Sequence, residues 1–329
     1  MKKNYFISGG TGSFAKKFAY LLIKKNIAKK IIIFSRDEYK QLLMKELPFV
    51  KKNINKFRFY IGDVRDKNRL KWAIGDDIDI VIHSAALKQV PTTEYNPFET
   101  VQTNIIGTQN LIEVCISKNI DKVLLISTDK AVTPINLYGA TKLTAEKLFI
   151  SANIFRGSRK TKFSVARYGN VMGSRGSVIP IFLKQNKVKN IPFTVTDREM
   201  TRFNISLLDA AKFVNLILSK MQGSEVFIPK IPSYRILDVV KAINKNKKIK
   251  YIGIRPGEKI HEELISAADS KKIIDKKNYF VINFNKKNVN SKKKTNEKSY
   301  NSFQNSKFLT INEIKLEIKK NLNDFDENF

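Results

Sequence analysis

A single cysteine, Cys115, excludes any intrachain disulfide, and with it the bridge-stapled frameworks on which small secreted domains depend. Two histidines, His83 and His261, far apart in the sequence, leave no transition-metal ligand set. Both read as structural residues. No apolar run approaches the roughly 18 residues of a membrane-spanning helix. The apolar part of Met1–Ser8 is too short for a signal peptide and reads as a strand. A cytoplasmic address is expected. Acidic residues are scarce, 30 against 61 basic ones, for a net charge of +31. Such a chain could bind nucleic acid or an anionic membrane. Its lysines are scattered, however, and no aromatic residues interleave with a basic stripe, as single-strand binding requires. Neither a nucleic-acid nor a membrane partner is expected, and the charge is read as steering for an anionic small molecule.

What is present is a large apolar content, 42% of 329 residues, ample for a sizeable core. Short apolar runs recur at Lys3–Ser8, Ile31–Phe34, Phe57–Ile61, Ile80–Ile82, Val123–Ile126 and Phe163–Ala166. Helical patterns separate them, notably Ser13–Lys24, Val101–Ser117 and Leu137–Asn153. Cys115 falls in the second of these as a small buried hydrophobe. Continuous apolar strands alternating with helices predict an α/β fold, a doubly wound parallel sheet covered on both faces. After Tyr168 the regularity weakens. Gly169–Thr201 reads as loops around one short helix, Leu207–Lys220 as a helix and Glu225–Ile228 as a late strand. Arg235–Asn244, Lys250–Ile254 and Glu258–Ala267 form a small mixed region. Residues Lys286–Tyr300 are rich in Lys, Asn and Ser and are expected to be mobile. Thr310 with Glu313 caps a last helix over Leu309–Leu322. The expected organisation is a nucleotide-binding domain at 1–169 plus about 204–231. A smaller substrate region follows at 170–203 and 232–285, then a terminal segment at 286–329.

Ser8-Gly9-Gly10-Thr11-Gly12-Ser13-Phe14-Ala15 follows the first strand and opens the first helix. Gly9 and Gly12 let the backbone approach a pyrophosphate, and the helix start at Ser13 and Phe14 favours its charge. The second strand ends in Ser35-Arg36-Asp37. An acid at the tip would hold the ribose of NAD, whereas Arg36 suits a 2′-phosphate, so NADP is favoured. Asp63 and Val64 suit the adenine edge, and Ala85-Ala86 a small-residue wall. In Ser127-Thr128-Asp129-Lys130, a strand ends in polar groups. Tyr138 and Lys142, four apart, share a helix face. An ammonium beside the phenol is expected to favour its ionised form as a base, with Thr128 bonded to the reacting hydroxyl.

The glycine-rich turn, Thr128, Tyr138 and Lys142 resemble those of extended short-chain dehydrogenases, whose fold is a Rossmann-like doubly wound sheet. Thr128-Asp129-Lys130 resembles the nucleotide-sugar 4,6-dehydratases. Ser127–Ala131 followed by Pro134-Ile135-Asn136-Leu137-Tyr138-Gly139-Ala140-Thr141-Lys142 is similar to the inverting UDP-N-acetylglucosamine 4,6-dehydratases of pseudaminic acid synthesis. Their retaining, membrane-bound relatives carry methionine where Tyr138 stands. Ala85–Pro91, Thr103–Thr108, Arg167–Val178, Phe193–Thr196, Met200–Phe203 and Arg255–Glu262 resemble the same family.

The resemblance implies tightly held NADP, a UDP-sugar substrate and a homo-oligomer. It implies oxidation at C4 with Tyr138 as base, proton removal at C5 by Lys130, and loss of the C6 hydroxyl with Asp129 as acid. Reduction at C6 and inversion at C5 complete the reaction. For those roles Lys130 must be neutral part of the time and Asp129 protonated, and burial is expected to move both that way. The family-matched segments add Lys88 and Asn104 at the cofactor. Lys88 again, Asn170, Ser174, Arg175, Val178, Thr194, Arg202, Arg255 and Glu258 are expected at the sugar nucleotide. Two alternatives stay open: a 4-epimerase on the same fold, which needs no Asp-Lys pair, and a non-catalytic dinucleotide-sensing protein.

Overall fold

The computed structural model describes residues 1–174, 177–284 and 299–321. Arg175 and most of the Lys/Asn-rich run, 285–298, lie outside the described residues. The apolar runs become parallel strands: β1 (Lys3–Ser8), β2 (Ala28–Ser35), β3 (Phe57–Ile61), β4 (Ile80–His83), β5 (Lys122–Thr128), β6 (Lys162–Tyr168) and β7 (Glu225–Pro229). Two more, β8 (Ile273–Asp275) and β9 (Tyr279–Asn283), extend the sheet antiparallel beyond β7. The order is β8-β9-β7-β6-β5-β4-β1-β2-β3. Successive residues of β1 are buried, as in a sheet covered on both faces. Strand order reverses between β1 and β4, and a cleft opens at the carboxyl ends of the strands there, as doubly wound sheets dictate.

The main helices are α1 (Ser13–Lys24), α2 (Gly107–Ser117), α3 (Leu137–Phe155), α4 (Val178–Lys187), α5 (Leu207–Lys220), α6 (Ile236–Asn244) and α7 (Ile311–Lys320). The helix predicted over Val101–Ser117 forms, with a π-helical turn inside it. A short helix at Pro97–Val101 runs into a π-helical turn at Gln102–Ile106, and α2 follows. Such turns commonly sit at functional sites. This one turns Asn104 onto the chain at Leu87.

The apolar residues pack into two cores. The larger holds the sheet, with Phe6, Phe18, Phe34, Phe149 and Phe163 fully buried. The smaller gathers Phe182, Phe193, Val195, Tyr234 and Val239 with Leu309, Ile314 and Ile318. The Thr310–Glu313 capping box forms as the spacing predicts, but α7 is no separate tail, because its apolar face completes the smaller core. Residues 273–283, assigned by sequence to the substrate region, belong instead to the main sheet, because β9 pairs with β7. Among the described residues no helix is long and apolar enough to cross a membrane.

Candidate active site

One cleft of about 510 Å³ runs from the tip of β2 to the ends of β5 and β6. Its nucleotide end is built from backbone. Gly9 has φ +65°, and a Cβ there would stand 2.8 Å from the Ala85 backbone. Only glycine allows both. Gly12 precedes α1, and its N-cap position makes no side-chain cap bond; the N–H groups at a helix start favour an anion. A dinucleotide pyrophosphate fits such a cradle. Gly9, Gly12, Ser13, Phe14, Ser35, Arg36, Asp63, Val64, Ala85, Ala86 and Lys88 all line the cleft.

Two details bear on the adenosine end. Asp37 caps the helix Glu38–Lys45, accepting from the Lys40 N–H at 2.9 Å, and its other oxygen pairs with the Lys40 ammonium. The acid at the strand tip is thus engaged locally, while Arg36 and Lys40 face the cleft. Asp63 receives Arg65 through Nε at 2.9 Å and Nη2 at 2.7 Å, and Arg36 lies 3.5 Å away. Burial works to raise the Asp63 pKa, but the Arg65 bonds prevail and lower it.

The other end is built from side chains. Thr128 ends β5 and donates to Asp129 Oδ1 at 2.9 Å. Lys130 Nζ stands 3.2 Å from the same oxygen. α3 starts at an Asn136 cap that accepts from the Gly139 N–H at 2.7 Å. A Cβ on Gly139 would lie 2.2 Å from the Lys130 carbonyl. Glycine therefore lets α3 close onto the Asp129–Ala131 turn and brings Tyr138 onto the same cleft lining as Thr128. Thr128, Asp129, Lys130, Tyr138 and Lys142 thus meet on one wall, with Asn170 and Ser174 beside them. Buried atoms Ser127 Oγ, Asp129 Oδ2, Tyr168 Oη and Asn170 Oδ1 have no hydrogen-bond partner among the described residues. Buried polar atoms are normally paired, and this cluster suits a polar ligand.

The electrostatics depart from expectation in two places. Burial pushes the Tyr138 phenol up to about 12, with Lys130 partly opposing. Lys142 does not lower it, because its Nζ turns back to donate to the Ile126 carbonyl at 2.8 Å. Burial brings Lys142 itself down to about 8. Asp129 moves as expected, upward, chiefly through burial. Lys130 does not. Burial opposes its charge, yet two carboxylates outweigh burial and raise its pKa. The second is Glu262, whose Oε1 lies 2.9 Å from Lys130 Nζ. Sequence reasoning quoted Glu262 only as the end of the Arg255–Glu262 segment. Glu262 carries no spacing relation to Lys130 that the sequence displays.

Other expected residues are not on the cleft. Asn104 is buried with its amide bound to the Leu87 backbone and Thr141, so it holds the stretch after Ala86 and does not face the cofactor cradle. The Arg202 guanidinium donates to the carbonyls of Thr201, Lys259 and Ile260 at 2.7–2.8 Å, tying strand Thr201–Phe203 to the segment before Glu262. Thr194 bonds to Gln185 of α4, and Val178 packs on the smaller core. Glu258 accepts from Thr196 at 3.3 Å, and Arg255 is exposed. His83 is buried between Ser8 at 2.7 Å and Thr108 at 3.0 Å, and His261 contacts Thr201 at 2.8 Å.

A family model described as "Polysaccharide biosynthesis protein" matches residues 5–284. The chain belongs to this family of extended short-chain dehydrogenases. It is 50% identical over 280 residues to "UDP-N-acetylglucosamine 4,6-dehydratase (inverting)" of Campylobacter jejuni subsp. jejuni serotype O:23/36 (strain 81-176), covering 85% of this chain and 82% of that one. It is 41% identical over 327 residues to "UDP-glucose 4-epimerase" of Rickettsia bellii (strain OSU 85-389), covering 95% and 94%. The X-ray structure of Pen from Bacillus thuringiensis superposes with a TM-score of 0.88 at 38% identity, covering 97% of this chain and 98% of that one.

Proposed function

We propose that this family member is an NADP-dependent UDP-N-acetylglucosamine 4,6-dehydratase that inverts C5. The product is UDP-2-acetamido-2,6-dideoxy-β-L-arabino-hexos-4-ulose, and water is released. The observation that carries this reading is the Asp129–Lys130 pair, 3.2 Å apart, on the same wall as Thr128 and Tyr138. Oxidation of a hydroxyl alone needs the tyrosine. An additional carboxyl and amine at the same wall suit an elimination.

Gly9, Gly12 and the start of α1 would hold the pyrophosphate, with Arg36 and Lys40 at the 2′-phosphate. When bound there, the nicotinamide would supply a reversible hydride acceptor for oxidation at C4 and reduction at C6. The Tyr138 phenolate, favoured by the positive ring of a bound nicotinamide against the burial that raises its pKa, receives the C4 hydroxyl proton, with Thr128 orienting the hydroxyl. A ketone at C4 then acidifies C5. Lys130 takes the C5 proton, and Asp129, whose pKa burial raises, gives its proton to the departing C6 oxygen. A proton delivered to the opposite face of C5 then completes the inversion, and Tyr138 gives up the C4 hydroxyl proton to solvent to close the balance. Asn170, Ser174 and Lys88 face the sugar nucleotide. The pseudaminic acid route is the proposed destination of the product, the working form a cytoplasmic homo-oligomer.

A 4-epimerase is the second reading, favoured by the name of the Rickettsia relative. Incubation with UDP-N-acetylglucosamine in deuterated water separates the two. The expected product has lost one water and carries deuterium at an inverted C5, read by mass and NMR. An unchanged mass with altered C4 overturns the dehydratase. Cofactor released on denaturation is expected to be NADP.

A further inference from the structure

The Asp129–Lys130 pair is in fact a triplet. Lys130 Nζ lies 3.2 Å from Asp129 Oδ1 and 2.9 Å from Glu262 Oε1, and the two carboxylate side chains are 1% and 2% exposed. Glu262 is anchored from behind, because its backbone N–H donates to Ser302 Oγ at 3.0 Å and its carbonyl accepts from the Ser302 N–H at 2.8 Å. Its Oε2 is buried with no hydrogen-bond partner among the described residues. Arg202 Nε is 3.9 Å from Oε1, but that guanidinium is fixed on three backbone carbonyls. The other charged or titratable groups acting on the triplet are Lys259, Tyr138 and Tyr234.

An ammonium held 2.9 Å from a buried carboxylate is a poor base. We infer that Glu262 is a positioning residue that accepts the Lys130 ammonium proton, freeing the amine for C5; this rests on the proposed role of Lys130. The charge count supports it. With Asp129 protonated, Lys130 as ammonium and Glu262 as carboxylate sum to zero. Moving one proton leaves three neutral groups, and the sum is still zero. Proton loss to solvent would instead leave the buried Glu262 carboxylate with an uncompensated charge, which is costly. In the step, an Nζ–H bond breaks, an Oε1–H bond forms, and the electron pair left on nitrogen takes the C5 proton. Once Asp129 has protonated the departing oxygen, the Glu262 proton returns to Asp129 through Nζ, which touches both acids.

The test is Glu262→Gln, which keeps the shape and an acceptor for Lys130. Single-turnover absorbance with UDP-N-acetylglucosamine separates C4 oxidation from elimination. Elimination is expected to slow ~10²-fold, in the range for a lost proton-transfer partner, with C4 oxidation and KM little changed. The elimination rate should also become pH-dependent in the variant, rising with pH as Lys130 loses its proton to solvent, where the wild type is flat. A merely structural ion pair predicts the opposite, because removing an anion makes Lys130 easier to deprotonate and elimination holds or quickens at neutral pH. Either of those outcomes overturns the relay. In wild-type protein carrying ¹³C-glutamate, substrate addition should produce an isotope-shifted protonated-carboxyl infrared band. Its absence overturns the relay even if the variant fails to fold. Lys130→Ala run alongside distinguishes the failures. Full elimination in that variant removes the base assignment itself, whereas its loss together with an unaffected Glu262→Gln removes only the relay.

Discussion

The two ends of the cleft are made of different material. The nucleotide end is backbone: a left-handed glycine, an uncapped helix start and a small-residue wall. The sugar end is side chains from three separate segments, the tip of β5, the first turn of α3 and Glu262. A backbone cradle binds without needing charge balance and fails when a Cβ intrudes. A side-chain cluster works only while its protons are apportioned correctly, so residues remote in sequence decide its chemistry.

Substitutions can break that contrast or sharpen it. The largest effect is expected of Lys130→Ala, with elimination down ~10³-fold and cofactor retention unchanged. Loss of bound cofactor in that variant, read by absorbance of the purified protein, would show that the ends are not independent. Glu146→Ala comes next. Arg167 and Glu146 form a buried bidentate pair, with Nε to Oε1 at 3.0 Å, and removing one partner strands the other at a cost of roughly 3–5 kcal/mol. Denaturant midpoints measure it, and a loss under about 1 kcal/mol would mean water reaches the pair. Gly9→Ala should cost ~2 kcal/mol through overpacking and strain and should weaken cofactor binding while leaving the Asp129–Lys130 end intact, which calorimetric titration checks.

The fourth expectation concerns pH. Unfolded, Lys142 keeps its proton to its ordinary 10.5, whereas folded it yields it near about 8. Between those values the unfolded state binds more protons, so this group's contribution to stability rises with pH. Lys142→Met removes the rise. The thermal midpoint of the variant relative to wild type should therefore be higher at pH 7 than at pH 10, and a constant offset would refute the lowered pKa. Smallest is Arg36→Ala, expected to weaken NADP about tenfold relative to NAD, or ~1.4 kcal/mol.

Much of the nucleotide end was legible because its signals are local. Apolar runs of strand length set the sheet, and Gly9, Gly12 and Ala85 sit where each strand hands over to its turn. The helix over 101–117 was legible as a helix, whereas its π turn at Gln102–Ile106, beside Asn104, has no signal in the apolar spacing. The sugar end was half legible. Thr128 to Lys142 lie within one strand–turn–helix unit, and their neighbourhood follows from that continuity. Glu262 reaches Lys130 through tertiary packing alone. An arginine near a proposed phosphate site looks like a ligand in sequence, and the three carbonyls that hold Arg202 are invisible there. The charge state of Lys130 depends on Glu262, so it was out of reach as well.

The smaller core has a consequence for synthesis. Leu309, Ile314 and Ile318 are as much a part of it as Phe182 and Phe193, although the chain between them returns to the main sheet to form β8 and β9. A ribosome delivers the sheet's first six strands and their helices early, in the order they pack. The smaller core must wait, its apolar faces uncovered, until α7 emerges. During that interval the growing chain presents a finished cofactor cradle beside an unfinished neighbour, and chaperone contact should fall on the segment from α4 to α6.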